Sequence, residues 1–202
     1  MAKSLLMFLV YVIITTLPLL TLKLYSPDIS FLIMVGAEIL IAVLAYFFCF
    51  RKLSGFSLQI YASRKILYLL SFYIFIVVFL QFIAFFIIQN NYPSPPAHFS
   101  VLLVILLVIV APVYEEFFFR GCLFGGLSLL LKNNIIAGVV TSIIFCAMHT
   151  QYSEFYDFLV LFISSLFMVH MRLRTNGLLY PIILHGTMNL AFVIINAQNI
   201  YR

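Results

Sequence analysis

Long apolar runs separated by short polar breaks dominate the chain. Their lengths are those of helices, not strands. The first run covers 5–22, behind Lys3. It lacks a small-x-small cleavage site and is long for a signal-peptide core, so it reads as a retained transmembrane helix. Further runs cover 29–50, 67–88, 99–131, 135–149, 158–171 and 178–195. None alternates with the period-two pattern of a membrane β-barrel. The breaks are Tyr25-Ser26-Pro27-Asp28, the basic 51–65 loop around a short amphipathic stretch, the proline-rich 90–96 link, Lys132-Asn133-Asn134, 151–157, and the turn holding Arg172, Arg174, Asn176 and Gly177. The pattern predicts an all-α polytopic transmembrane helix bundle of about seven spans. No internal repeat or low-complexity tract interrupts it.

Two runs stand out by length. At about 1.5 Å per residue, 99–131 would reach roughly 50 Å, beyond a hydrocarbon core of about 30 Å. It must tilt, protrude or bend, and Pro112 is the expected place. The run 158–171 is short for a span.

Composition agrees with a membrane class. Of 202 residues, 65% are hydrophobic and 8% charged, and mean hydropathy is +1.21. The formal charge of +5 comes mainly from loop Lys and Arg and does not indicate nucleic-acid binding. Lys3, the 51–65 loop, Lys132 and Arg172/Arg174 fall on one face of a seven-span arrangement, with Lys23 and Arg202 opposite. The positive-inside rule then places the N-terminus in the cytoplasm and the C-terminus outside. Cys49, Cys122 and Cys146 have neither metal spacing nor a disulfide framework, and read as small buried hydrophobes.

Against this background the polar groups inside the runs carry the chemistry. Glu115, Glu116 and Arg120 lie within 112–121, in a stretch of Val and Phe. Such groups are expensive in hydrocarbon and face a bundle interior, a wet cavity or each other. Glu116 and Arg120 are four apart and can pair on one helix face. Glu115 points about 100° away and is left for acid–base work; the alternative is a packing ion pair beside a protonated Glu115. His149 follows Phe145 by four, and His185 and Asn189 are also four apart. Each pair alone fits helix–helix hydrogen bonding as well as catalysis. By depth, Glu115, His149, His185 and Asn189 overlap on three helices, which permits water activation opposite oxyanion donors. His170 reads as interfacial. Glu38 is a lone mid-span acid with no role assigned.

Glu115-Glu116-x-x-x-Arg120, Phe145-x-x-x-His149 and His185-x-x-x-Asn189, in that order on successive apolar helices, resemble the CPBP family, also called Abi: CAAX-prenyl-protease and bacteriocin-processing intramembrane proteases. The resemblance covers 112–190 and divides the chain into N-terminal transmembrane helices, 1–98, and catalytic core helices, 99–195. It implies a glutamate-dependent endopeptidase. Glu115 would be the base, His149 would help hold the water, and His185 and Asn189 would stabilise the oxyanion. Glu116, Arg120 and Phe145 would support the site. No cofactor is expected. The alternative is zinc on Glu115, His149 and His185, for which Asn189 is a poor further ligand. The resemblance implies a peptide or membrane-protein substrate in the bilayer. The short loops suit a bacterial plasma membrane, where peptide or bacteriocin processing and self-immunity are the family's options. Two other classes compete: a proton-relay transporter, which lacks the expected paired half-helices, and a non-proteolytic immunity or regulatory partner. No His-Glu-x-x-His or Gly-x-Ser-Gly is present. Tyr156-Asp157 resembles a presenilin-type aspartate without its Gly-x-Gly-Asp partner.

Overall fold

A computed structural model describes residues 1–60, 63–91, 99–150, 152 and 154–197. Among these residues the regular structure is helical: α1 (Ala2–Ile14), α2 (Leu17–Thr21), α3 (Pro27–Ala45), α4 (Arg64–Asn91), α5 (Val101–Ile105), α6 (Ala111–Glu116), α7 (Phe124–Leu131), α8 (Asn134–Ala147), α9 (Phe155–Thr175) and α10 (Leu179–Ala197). Wider π turns extend α3 over Tyr46–Phe50 and join α5, α6 and α7 over Leu106–Val110 and Phe117–Leu123. Six helical runs are long and apolar enough to cross a membrane, and α8 is a shorter apolar helix beside them. The chain is a polytopic helical bundle.

Local sequence explains where these helices start and stop. Asn133 caps α8, its side chain accepting from the Ile135 and Ile136 N–H groups. Lys132 and Asn176 end α7 and α9 in the left-handed conformation. One span is longer than its apolar run suggests. The short helix is α8, with 14 residues, whereas α9 has 21 and is not short. It runs through Arg172 and Arg174 because the loop after α3 covers Arg172. Gly55, at φ +89°, places its backbone where any Cβ would meet the Arg172 guanidinium. The same loop docks on the turn after α9 through a Leu178 N–H to Ser57 carbonyl bond of 2.8 Å and a Ser54 to Asn176 contact of 3.0 Å. Most of the proline-rich link expected at 90–96 lies outside the described residues, as do parts of 151–157.

The bundle is apolar outside and keeps its polar groups within an apolar core, as lipid requires. Phe48, Phe75, Phe82 and Phe86 face outward. Ser30, Glu38, Glu116, Arg120, Thr141, Ser142, Ser164 and Ser165 are buried. Two cysteines fit the small-hydrophobe reading, Cys122 and Cys146, while Cys49 is exposed. The N-terminal helices pack on the motif-bearing run: Tyr11 stacks on Phe118 at 4.4 Å, and Phe8 meets Phe119 edge-on at 5.3 Å. Glu38 is buried against Tyr114, whose hydroxyl it binds. His170 is a half-buried partner of Tyr73 at 2.6 Å, tying α9 to α4.

Candidate active site

Pro112 disturbs its helix by changing the turn that precedes it. The Ala111 N–H reaches back five residues to the Leu106 carbonyl. In that wider register the next donor, for Leu107, would be residue 112, and proline has none. The Leu107 carbonyl is therefore free, and the Asn189 side-chain amide donates to it at 2.8 Å. Helix α10 comes close enough because of Gly186: a Cβ there would stand 2.7 Å from the Val108 carbonyl oxygen. The disturbed turn and the glycine together seat His185 and Asn189 beside Glu115.

One helical turn on, Arg120 organises the buried side. Its Nη1 donates to Glu116 Oε1 at 2.9 Å, with neither side chain exposed. Its Nη2 donates to Ser165 Oγ at 2.9 Å, and Ser165 donates to Ser142 at 2.9 Å. The guanidinium carbon lies 4.3 Å from the Phe145 ring centre. The i,i+4 pairing is thus formed, yet it is one part of a larger cluster. Glu116 Oε1 also accepts from His185 Nδ1 at 2.8 Å.

The two histidines are oriented alike. His149, just past the end of α8, donates from Nδ1 to the Phe145 carbonyl at 2.7 Å. A carbonyl only accepts, so the hydrogen is on Nδ1 and the neutral ring presents a lone pair at Nε2. His185 is held the same way by Glu116. Both Nε2 atoms lie 3.8 Å from Glu115 Oε2, a buried oxygen without a hydrogen-bond partner. Phe145, fully buried, packs at 4.3 Å against His149 and 5.8 Å against His185.

These residues face one cavity of about 420 Å³, lined by Glu115, His149, His185 and Asn189 together. Its remaining polar wall comes from residues that the motifs do not include: Gln81 and Gln89 on α4, Tyr152, Asp157 and Asn196. Gln81 was visible as a polar residue in an apolar span, without a partner to give it meaning. The zinc alternative fits poorly. Tetrahedral ligands at about 2.0–2.1 Å from zinc stand roughly 3.3 Å apart, closer than these donors. Among the described residues no group of three or more His, Cys, Asp or Glu is placed to hold a metal ion.

The fold and site define a helical membrane bundle whose interior cavity gathers Glu115, His149, His185 and Asn189. Residues 96–191 match the family model described as "Type II CAAX prenyl endopeptidase Rce1-like", so this part of the chain is similar to the CAAX-protease (CPBP) family. An Escherichia coli protein described as "Uncharacterized 24.3 kDa protein" is 33% identical over 75 residues, 37% of this chain and 35% of that protein. The chain thus aligns with about a third of that relative's length. No solved structure matches.

Proposed function

We propose that this protein is an endopeptidase that hydrolyses a peptide bond inside the membrane with water activated by Glu115, without a metal. The observation that carries this reading is the Glu115 oxygen set 3.8 Å from two Nε2 lone pairs. That gap is too long for a direct hydrogen bond and suits groups that share a water. The water gives one proton to Glu115 and is steadied through the other by His149 Nε2. Its oxygen attacks the scissile carbonyl carbon, and the C–O bond forms as negative charge moves to the carbonyl oxygen. When the C–N bond breaks, the proton held by Glu115 goes to the departing amine.

Oxyanion support falls to Asn189 and His185. Asn189 uses one amide hydrogen on Leu107 and retains the other. His185 Nε2 carries a lone pair in the neutral ring and donates to the oxyanion only once the ring has taken a second proton. Asn189→Ala should lower kcat about a hundred- to a thousandfold and leave cleavage detectable, since one oxyanion donor is lost. Mass spectrometry of peptides released from membranes holding unmodified or Asn189→Ala protein tests both the activity and its size. If the same peptides appear at equal rates in membranes lacking the protein, the endopeptidase reading fails.

The substrate class we favour is a short peptide or membrane protein of a bacterial plasma membrane, in bacteriocin or peptide processing or self-immunity. The end of the bundle bearing Arg51, Lys52, Arg64, Lys65, Lys132, Arg172 and Arg174 contains no acidic residue. We place that end, with the N-terminus, in the cytoplasm. A cysteine introduced at Lys52 should be protected from impermeant thiol reagents in intact cells, measured with Cys49 replaced by serine. Labelling from outside would reverse the orientation.

A further inference from the structure

The cavity extends beyond the groups that the hydrolysis uses. It reaches Asp157, in the first turn of α9, beyond Tyr152. An aspartate in a first helical turn complements the helix dipole wherever it points. This one also faces a cavity, and it forms no ion pair among the described residues. No Lys or Arg lines that cavity, although the chain as a whole is basic.

The buried polar atoms of the lining that lack a partner are acceptors. Gln81 gives its amide to the Met188 carbonyl at 3.1 Å, which leaves its Oε1 buried without a partner. Glu115 Oε2 is in the same condition. Phe85, Ile88, Phe192 and Ile195 supply apolar wall beside them. Two carboxylates in a wall without Lys or Arg, between apolar side chains, attract a positive group more strongly than they would in water. An apolar side chain gains nothing from them, and an anion is repelled.

Resting on the endopeptidase reading, we infer that Asp157 is a specificity-determining residue: it selects substrates whose apolar segment carries one cationic nitrogen, from a Lys or Arg side chain or from a free α-amino group. A lysine suits the site because its methylene stem packs on apolar wall while its ammonium meets the carboxylate.

The test uses three matched apolar peptides that differ at one position, carrying Lys, norleucine or Glu, each with a free and an acetylated N-terminus. Binding is measured on Glu115→Gln protein, which needs no cleavage and leaves Asp157 as the cavity's carboxylate. The Lys peptide should bind about tenfold more tightly than norleucine, and Glu more weakly still. Asp157→Asn should bring the ratios close to one, and Asp157→Lys should invert them. If the Lys preference survives acetylation, the side chain is the cation selected; if the three side chains bind alike and acetylation weakens all of them, the α-amino group is. Equal binding of all six peptides, no binding by any, or a preference unchanged in Asp157→Asn would overturn the role of Asp157. Relative kcat/KM on the unmodified protein separates the two ideas. Charge-selective binding with no cleavage counts against the endopeptidase and leaves Asp157 standing, whereas cleavage blind to charge does the reverse.

Discussion

Glu115→Gln is expected to abolish peptide cleavage while the protein still folds and inserts. The amide keeps the side chain's length but cannot take a proton from water. The fold does not depend on the lost charge, because Glu115 makes no direct hydrogen bond through Oε2 and its histidine neighbours stand at 3.8 Å. His149→Ala should come close to the same loss, since the water loses its second contact. Purified protein in detergent with a defined peptide gives the rates, and elution as a monodisperse species gives the folding control. Near-normal cleavage by Glu115→Gln would end the assignment of Glu115 as base. A stoichiometric metal lost on replacing Glu115, His149 or His185 in turn, with activity regained on adding zinc, would replace it by the metal-dependent alternative.

The second large effect concerns Arg120. Replacing Arg120 alone with Met leaves Glu116 buried without its cation, and a stranded charge of this kind costs about 3–5 kcal/mol. The yield of folded protein should fall sharply. Glu116→Leu alone should do similar harm by stranding Arg120. Joining the two changes should recover much of the yield. Activity should not return, because His185 would then lack the carboxylate that holds its Nδ1 hydrogen. Thermal unfolding in detergent across the four proteins measures the coupling. A double variant as unstable as the two single losses added together would show that the charges act independently.

These expectations also mark how far the sequence could be read. The Glu116–Arg120 contact follows from spacing on one helix, and the structure has it at 2.9 Å. That His185 binds the same Glu116 oxygen involves residues 69 apart, and no local rule points to it. Depth allowed Glu115, His149 and His185 to meet but did not say that both rings would turn Nε2 inward. That orientation depends on a backbone carbonyl and a second carboxylate. The Asn189 contact required knowing that Pro112 frees the Leu107 carbonyl by widening the preceding turn. Asp157 drew attention through a likeness to another protease class, and its place in the cavity wall gives it a different meaning. The length of α9 was underestimated for a plain reason. Charged residues mark the ends of hydropathic runs, and Arg172 is a charge that the protein itself covers.

The shortness of α8 has a consequence for the surrounding bilayer. Fourteen residues rise about 21 Å, against a hydrocarbon thickness of about 30 Å. Beginning beside Lys132 at the basic end, α8 stops well inside the layer, and His149 sits where it stops. Lipid tails flanking this helix have less apolar height to match than those around α4, with its 28 residues. The membrane must pucker inward along this side or meet protein there.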